Sequence, residues 1–411
     1  DYEMTHRVPE EEFVAYQQLT SKADAVWHEA KERSDFALFE PYLQQVFDGS
    51  RRLAEYMQPD KDPYDAQLDR FERGLTRETC DAFFAALRQE LVPLIDQVKA
   101  HADRVDDAPL HRSFPVAIQR EFSDFVMDVM DIDRNHCIIG ETEHPFTINF
   151  SRDDVRITTN YQEDLVASSL YSVVHEGGHA LYELHVGREL SRTCLGGGVS
   201  MAIHESQSRF YENIIGRSRA FCGVIYPWLR EHFAPRLDDV SQDAFYRMIN
   251  KAQPSLIRTE ADELTYPLHI MIRYEIERLL FSGEATAKDV PGLWADLTRK
   301  YLGLEVPNNA MGALQDTHWS GGSFGYFPTY ALGSAYDAQY VPAMERDGID
   351  LEAACASGDL APVRAWLGDK VWRWGRGKDA PEIIEAACGA PFDATFFCDY
   401  LAKKFGDLYR L

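Results

Sequence analysis

His175-Glu176-Gly177-Gly178-His179 decides how this 411-residue sequence is read. Two histidines four apart lie one above the other on an α-helix, so both imidazoles can reach one metal ion. Glu176 points to the same side, close enough to act on a water that such a metal activates. The approach to the motif, residues 165–174, is largely apolar and fits a buried helix. Gly177 and Gly178 stand inside that helix, where each costs roughly 1 kcal/mol against Ala. The expectation is that a substrate approaches the backbone there, which a side chain would prevent.

Catalytic zinc sites take three protein ligands and leave the fourth position to water, and two His with one carboxylate is a usual set. His204-Glu205-Ser206-Gln207 lies at the start of a second amphipathic segment, 201–216. Glu205 is the natural third ligand and His204 its rival. Gly196-Gly197-Gly198 supplies a flexible turn that can fold the second helix back beside the first.

An apolar fraction of 45% over this length supports a large core. The net charge of −25 argues against sequence-independent nucleic-acid binding, which needs clustered Lys and Arg. No apolar stretch approaches the length of a membrane span, and no signal-peptide pattern opens the chain. Seven cysteines, an odd number without paired spacing, are expected as reduced, buried thiols of a cytoplasmic protein. Position 1 is Asp rather than Met, so the sequence is expected to be processed or shortened.

Helical period dominates. Apolar residues recur at three- and four-residue steps over 11–32, 37–57, 77–102, 113–130, 165–185, 201–216, 243–253, 257–281 and 290–302. The same period predicts helices over 330–347, 360–375, 381–388 and 394–408. Strand alternation is confined to Thr147-Ile148-Asn149-Phe150 and Val155-Arg156-Ile157-Thr158, joined by the polar turn Ser151-Arg152-Asp153-Asp154, which predicts one short hairpin. The edge of such a sheet can take an extended peptide as an added strand, although a plain structural hairpin is the ordinary reading. No repeat and no long linker interrupts the pattern, so residues 1–411 are expected to form a single, mainly α domain with a small sheet.

Residues 312–330 are polar and glycine-rich, with His318, Trp319, Tyr326 and Tyr330, and too irregular for a core element. If the metal site hydrolyses a peptide bond, His318 and Tyr330 are the candidate oxyanion donors, with Tyr326 as substitute. Ile257-Arg258-Thr259-Glu260-Ala261-Asp262 is predicted to begin a long helix. Arg258 can fork onto a carboxylate; pairing with Glu260 or Asp262 on the helix surface is the ordinary alternative. Arg156 is a weaker candidate of the same kind.

His144-Pro145-Phe146, Asp154-x-Arg156-x-Thr158, His175-Glu176-x-x-His179, His204-Glu205-Ser206-Gln207, Ile257-Arg258-x-x-Ala261-Asp262 and Gly312-x-x-Gln315-Asp316-x-His318-Trp319 occur together in this order. With this set the chain resembles the thermostable carboxypeptidase Taq family of zinc metallocarboxypeptidases, from Val8-Pro9-Glu10 to the C-terminal helical segment. The resemblance implies a mostly helical, neurolysin-like fold with a deep cleft and a small sheet at its floor, usually as a homodimer. It implies release of single C-terminal residues from peptides, with broad preference and poor action on C-terminal proline. By similarity, His175, His179 and Glu205 bind one zinc per chain, with cobalt or manganese as possible substitutes, and Glu176 is the general base. Arg258 looks like the residue that receives the substrate's C-terminal carboxylate. Arg156, Tyr326 and His144 are expected on the substrate-binding side. His318 and Tyr330 resemble the oxyanion donors of the wider neurolysin and angiotensin-converting-enzyme group. Family members usually carry further helices ahead of the Val-Pro-Glu segment, and those are expected to be missing here.

Two rival readings stay open. One is an oligopeptidase that cuts internally with the same zinc chemistry and no carboxylate anchor. The other is a peptide-binding homologue that has kept the scaffold and lost catalysis.

Overall fold

The computed structural model describes residues 2–411. Helix accounts for 66% of the chain, and the described residues contain one three-stranded sheet, as the mainly α reading requires. The helices that build the core and the site are, in chain order, α1 (Glu10–Arg33), α2 (Phe36–Met57), α3 (Arg77–Ala100), α4 (Val116–Val129), α5 (Val166–His185), α6 (Met201–Arg209), α7 (Tyr266–Ser282), α8 (Val290–Leu302) and α9 (Phe327–Arg346). The strands are β1 (Cys137–Glu141), β2 (Thr147–Ser151) and β3 (Asp154–Thr159). The chain gathers into two compact units. One holds the residues up to Lys99 with Ala252–Ala331, and the other holds Ala100–Lys251 with Leu332–Leu411.

In the first unit α1 opens with three glutamates, which suit the positive end of the helix dipole, and stops at Ser34 in the left-handed conformation. Asp35 then caps α2 by accepting the amide of Ala37 at 3.2 Å. The two helices pack closely at Gly49, where an added Cβ would stand 2.6 Å from the Tyr16 ring. α7 begins at Tyr266, nine residues later in effect than the apolar spacing from Ile257 predicts, because only Arg258–Glu260 makes a 3₁₀ turn first. Pro267 stands in the first turn of α7 and would break a helix already running, and Asp262 closes a turn ahead of it. The Asp262 carboxylate accepts the amides of Leu264 and Thr265 at 3.0 Å each and the Thr265 hydroxyl at 2.8 Å, closing a local turn that competes with helix.

In the second unit the sheet order is β1-β3-β2, with β1 parallel and β2 antiparallel to β3. The predicted hairpin is β2 with β3. β1 is an addition: Cys137-Ile138-Ile139 lacks alternation, and its partner is not the next strand in sequence. Val155 and Ile157 are fully buried on β3, while Arg156 between them faces outward. β3 packs on α5, which is buried along almost all of its length and so forms the spine of this unit. Among the described residues no helix is long and apolar enough to cross a membrane.

Candidate active site

α5 carries His175, Glu176 and His179, and glycines let its neighbours come close. A Cβ on Gly178 would stand 2.6 Å from the Gln207 carbonyl oxygen and 2.7 Å from Ser208 Cα, so α6 crosses α5 backbone against side-chain-free backbone. Gly333 on α9 does the same from another side, with Glu205 Cβ and Cγ 2.7 Å from its virtual Cβ. Gly177 faces Met130 and Ile132. The two motif glycines thus serve packing against protein, which replaces the expectation that a substrate needs their backbone. Since Gln207 and Ser208 oppose Gly178 with backbone, Gly178→Ala should cost about 1–3 kcal/mol and weaken metal retention. Gly177→Ala should cost less, because the Met130 side chain can move. Thermal melting with metal analysis of the two variants checks the order.

His175 Nε2 lies 3.7 Å and His179 Nε2 3.6 Å from the same atom, Glu205 Oε2. One ligand atom from each of the three falls within 4.8 Å of the others, a group that could hold a metal ion. Ligand atoms at zinc bond lengths of about 2.0–2.1 Å in a tetrahedron stand roughly 3.4 Å apart, so the donor set fits. The opposite ring nitrogens are engaged behind. His175 Nδ1 is 3.0 Å from Glu212 Oε2, and His179 Nδ1 is 2.6 Å from His204 Nδ1. His204 Nε2 in turn meets Glu183 Oε1 at 2.8 Å. With both nitrogens of His204 occupied, Glu205 is the group that faces the two Nε2 atoms.

Arg209 donates to Glu205 at 2.8 Å and to Glu212 at 3.2 Å, and Arg217 donates to the other oxygen of Glu212 at 3.0 Å. Burial pushes both carboxyls up, but Arg209 and the neighbouring histidines outweigh it and hold them well below the usual carboxylate range. Burial also lowers the His179 pKa, an effect Glu205 only partly offsets. Burial acts on His175 in the same direction, but Glu205 and Glu212 outweigh it and raise that pKa, so a metal would have to displace a proton there. The segment after α6 continues as a π-helix, Phe210–Gly216, whose wider turn carries Glu212 to His175. Glu176 is 7% exposed, and its Oε2 accepts the Thr147 hydroxyl at 2.6 Å.

The first unit holds a second constellation. Asp316 Oδ1 takes Arg258 Nε at 3.0 Å and Nη2 at 2.8 Å, and Oδ2 takes Arg273 Nε at 2.8 Å. Arg258 therefore pairs with neither Glu260 nor Asp262. It is buried, and its Nη1 donates to the Tyr266 hydroxyl at 3.3 Å. His318 Nε2 lies 3.2 Å from the Tyr330 hydroxyl, while Nδ1 is buried without a hydrogen-bond partner. Burial pushes the His318 pKa down to about 4, with Asp316 opposing and Arg258 and Arg273 assisting. The ring is thus neutral near pH 7. The Tyr326 ring packs on both, at centroid distances of 5.4 Å and 5.1 Å. Glu277 anchors the loop between them, accepting the Trp319 indole at 2.7 Å and the Gly325 amide at 2.8 Å, and burial pushes its carboxyl up to about 7.

Arg156 is exposed, bound through Nε and Nη2 to Asp154 at 3.0 Å each, and stacked over Phe150. His144 is exposed, and its carbonyl accepts the Thr142 hydroxyl at 2.6 Å. Neither makes a contact that shows a role in binding.

The carboxypeptidase Taq (M32) metallopeptidase family model matches residues 1–405. The chain belongs to that family. It is a metallocarboxypeptidase, and so a peptide hydrolase. Carboxypeptidase 1 of Bacillus subtilis (strain 168) is 43% identical over 411 residues, covering 100% of this chain and 82% of the relative. Thermostable carboxypeptidase 1 of Pyrococcus furiosus is 38% identical over 394 residues, covering 94% and 78%. The M32 carboxypeptidase structure from Deinococcus radiodurans R1 superposes with a TM-score of 0.96 at 38% identity, covering 98% of this chain and 82% of that one. Trypanosoma cruzi metallocarboxypeptidase 1 gives 0.92 at 36% identity, covering 97% and 81%.

Behind His175, His179 and Glu205 stand residues that the motifs do not name. Glu205, Arg209 and Glu212 recur at helical steps on one face, which was a usable signal for Arg209 and Glu212. Glu183 follows His175 and His179 at four-residue steps and carried the same signal, whereas Thr147, on a strand, carried none.

Proposed function

We propose that this metallocarboxypeptidase uses zinc to release single C-terminal amino acids from peptides, with broad preference and little action on C-terminal proline. The observation that carries the reading is the approach of both Nε2 atoms to one oxygen of Glu205, with the rear nitrogens already engaged. A zinc ion held by His175, His179 and Glu205 would polarise the scissile carbonyl and acidify a water, and cobalt or manganese would substitute. Glu176 takes the proton from that water and hands it to the departing amine. His318 and Tyr330 give hydrogen bonds to the oxygen that becomes negative, with Tyr326 beside them. Arg258 receives the free carboxylate, supported by the net positive charge of two arginines on one aspartate. His144 and Arg156 are assigned to the peptide-binding side on the family resemblance, as is a homodimer. All seven cysteines are free and six are buried, which supports a reducing compartment, the cytoplasm.

One observation favours a second reading, internal cleavage: Arg258 is already committed to Asp316 and Tyr266. Mass spectrometry of products from one unblocked peptide and its C-terminal amide, after metal reconstitution, decides between them. Stepwise loss of single residues from the free acid, with little from the amide, is expected. Internal fragments from both would overturn the proposal.

A further inference from the structure

β2 is an edge strand whose side chains alternate, so Thr147 and Asn149 fall on one face, and both reach α5. Asn149 Nδ2 donates to Glu183 Oε2 at 2.7 Å. Thr147 Oγ1 is 2.6 Å from Glu176 Oε2 and 3.2 Å from the Glu176 carbonyl oxygen. Among the described residues, Thr147 supplies the one side-chain hydrogen bond to the Glu176 carboxylate. A hydroxyl has a single proton to give, and the shorter distance assigns it to the carboxylate oxygen.

We propose that Thr147 is a positioning residue for the reaction: its hydroxyl holds Oε2 of Glu176 and leaves Oε1 as the atom that takes and returns the proton. The inference rests on Glu176 as the general base. The hydrogen bond survives both halves of the cycle. While Glu176 is a carboxylate, Oε2 accepts from Thr147. Once water has given its proton to Oε1, Oε2 is a carbonyl oxygen and still accepts. The proton therefore stays on the oxygen from which it must pass to the leaving amine, and the carboxyl group does not rotate between the two transfers. Because a second pair, Asn149 with Glu183, ties the same strand to the same helix further along, β2 cannot easily swing and carry Thr147 away.

Thr147→Val keeps the branched shape and removes the donor; Thr147→Ser keeps the donor and loses the branch. Activity and stability should then rank the variants in opposite orders, since Val favours a strand and Ser does not. In the metal-loaded enzyme, kcat of Thr147→Val should fall roughly ten- to hundredfold, as loss of a charge-assisted hydrogen bond would give. KM and metal content per chain should hardly change, and Thr147→Ser should recover most of the turnover. In a Glu176→Gln background, Thr147→Val should cost nothing further, because it acts only through that carboxylate. This last comparison needs no equality of folding between the single variants. Full kcat in Thr147→Val, or a kcat that follows thermal stability through the series, overturns the positioning role. If Glu176→Gln itself keeps turnover, the base assignment fails and this inference fails with it. An inactive Glu176→Gln beside a fully active Thr147→Val overturns the inference alone.

Discussion

Glu176→Gln is expected to keep its metal and lose turnover by roughly 10²–10⁴-fold, the range that removal of a general base commonly gives. Gln fills the same space, and its side-chain oxygen can still accept from Thr147, so the local packing has no reason to change. The three groups that converge for a metal are His175, His179 and Glu205, and none of them is altered. What disappears is the capacity to take a proton. Metal analysis alongside kcat separates this from a trivial loss of metal, and Glu205→Gln supplies the contrast by weakening metal retention. His204→Gln should largely preserve the metal, because His204 backs His179 and both its nitrogens are occupied there. Equal metal loss in Glu205→Gln and His204→Gln would contradict that order. Substantial turnover by metal-loaded Glu176→Gln would mean that another group deprotonates the water.

Legibility in the sequence followed how local each signal was. The metal helix, expected over 165–185, runs Val166–His185, because an apolar stretch closed by a spaced His pair is a property of one segment. α8 occupies the predicted 290–302 for the same reason. α7 starts later than the apolar spacing from Ile257 predicts: Pro267 marks that start in the sequence, whereas the turn that Asp262 closes on the amides after it leaves no periodic trace. β1 was invisible because three adjacent apolar residues carry no strand period and its partner β3 lies beyond another strand. The glycines of the motif stand out in the sequence, but what requires them does not. Their cause is the backbone of Gln207 and Ser208 and the side chains of Met130 and Ile132, contacts made only in three dimensions. Asp316 shows the same limit. It lies within the Gly312–Trp319 motif, yet its partners Arg258 and Arg273 come from elsewhere in the chain, and no periodicity joins them.

That aspartate carries the second large expected effect. Asp316→Asn should destabilise the protein by about 3–5 kcal/mol, the usual cost of removing one partner from a buried ion pair. Arg273 is fully buried and Arg258 is 7% exposed, so neither guanidinium can turn to water for compensation. Neither can lose its proton, as a buried lysine would. Burial pushes the Asp316 carboxyl up, but Arg273 and Arg258 overcome it and hold it well below the usual range, so the group is ionised at any pH where the fold is studied. An amide in its place still fits and still accepts one hydrogen bond. It leaves two like charges facing each other across a neutral group, and its NH₂ meets donors where the second oxygen met Arg273. Asp154→Asn is the control. That pair with Arg156 has the same chemistry but is 52% and 44% exposed at its two side chains, and loss of an exposed pair costs about 0–1 kcal/mol. Denaturant unfolding of the two variants in one buffer reads the difference directly. A cost for Asp316→Asn no larger than that for Asp154→Asn would show that the two arginines are held by something other than this carboxylate. The loop of His318 would then need another anchor, with Glu277, bound to the Trp319 indole and the Gly325 amide, the remaining candidate.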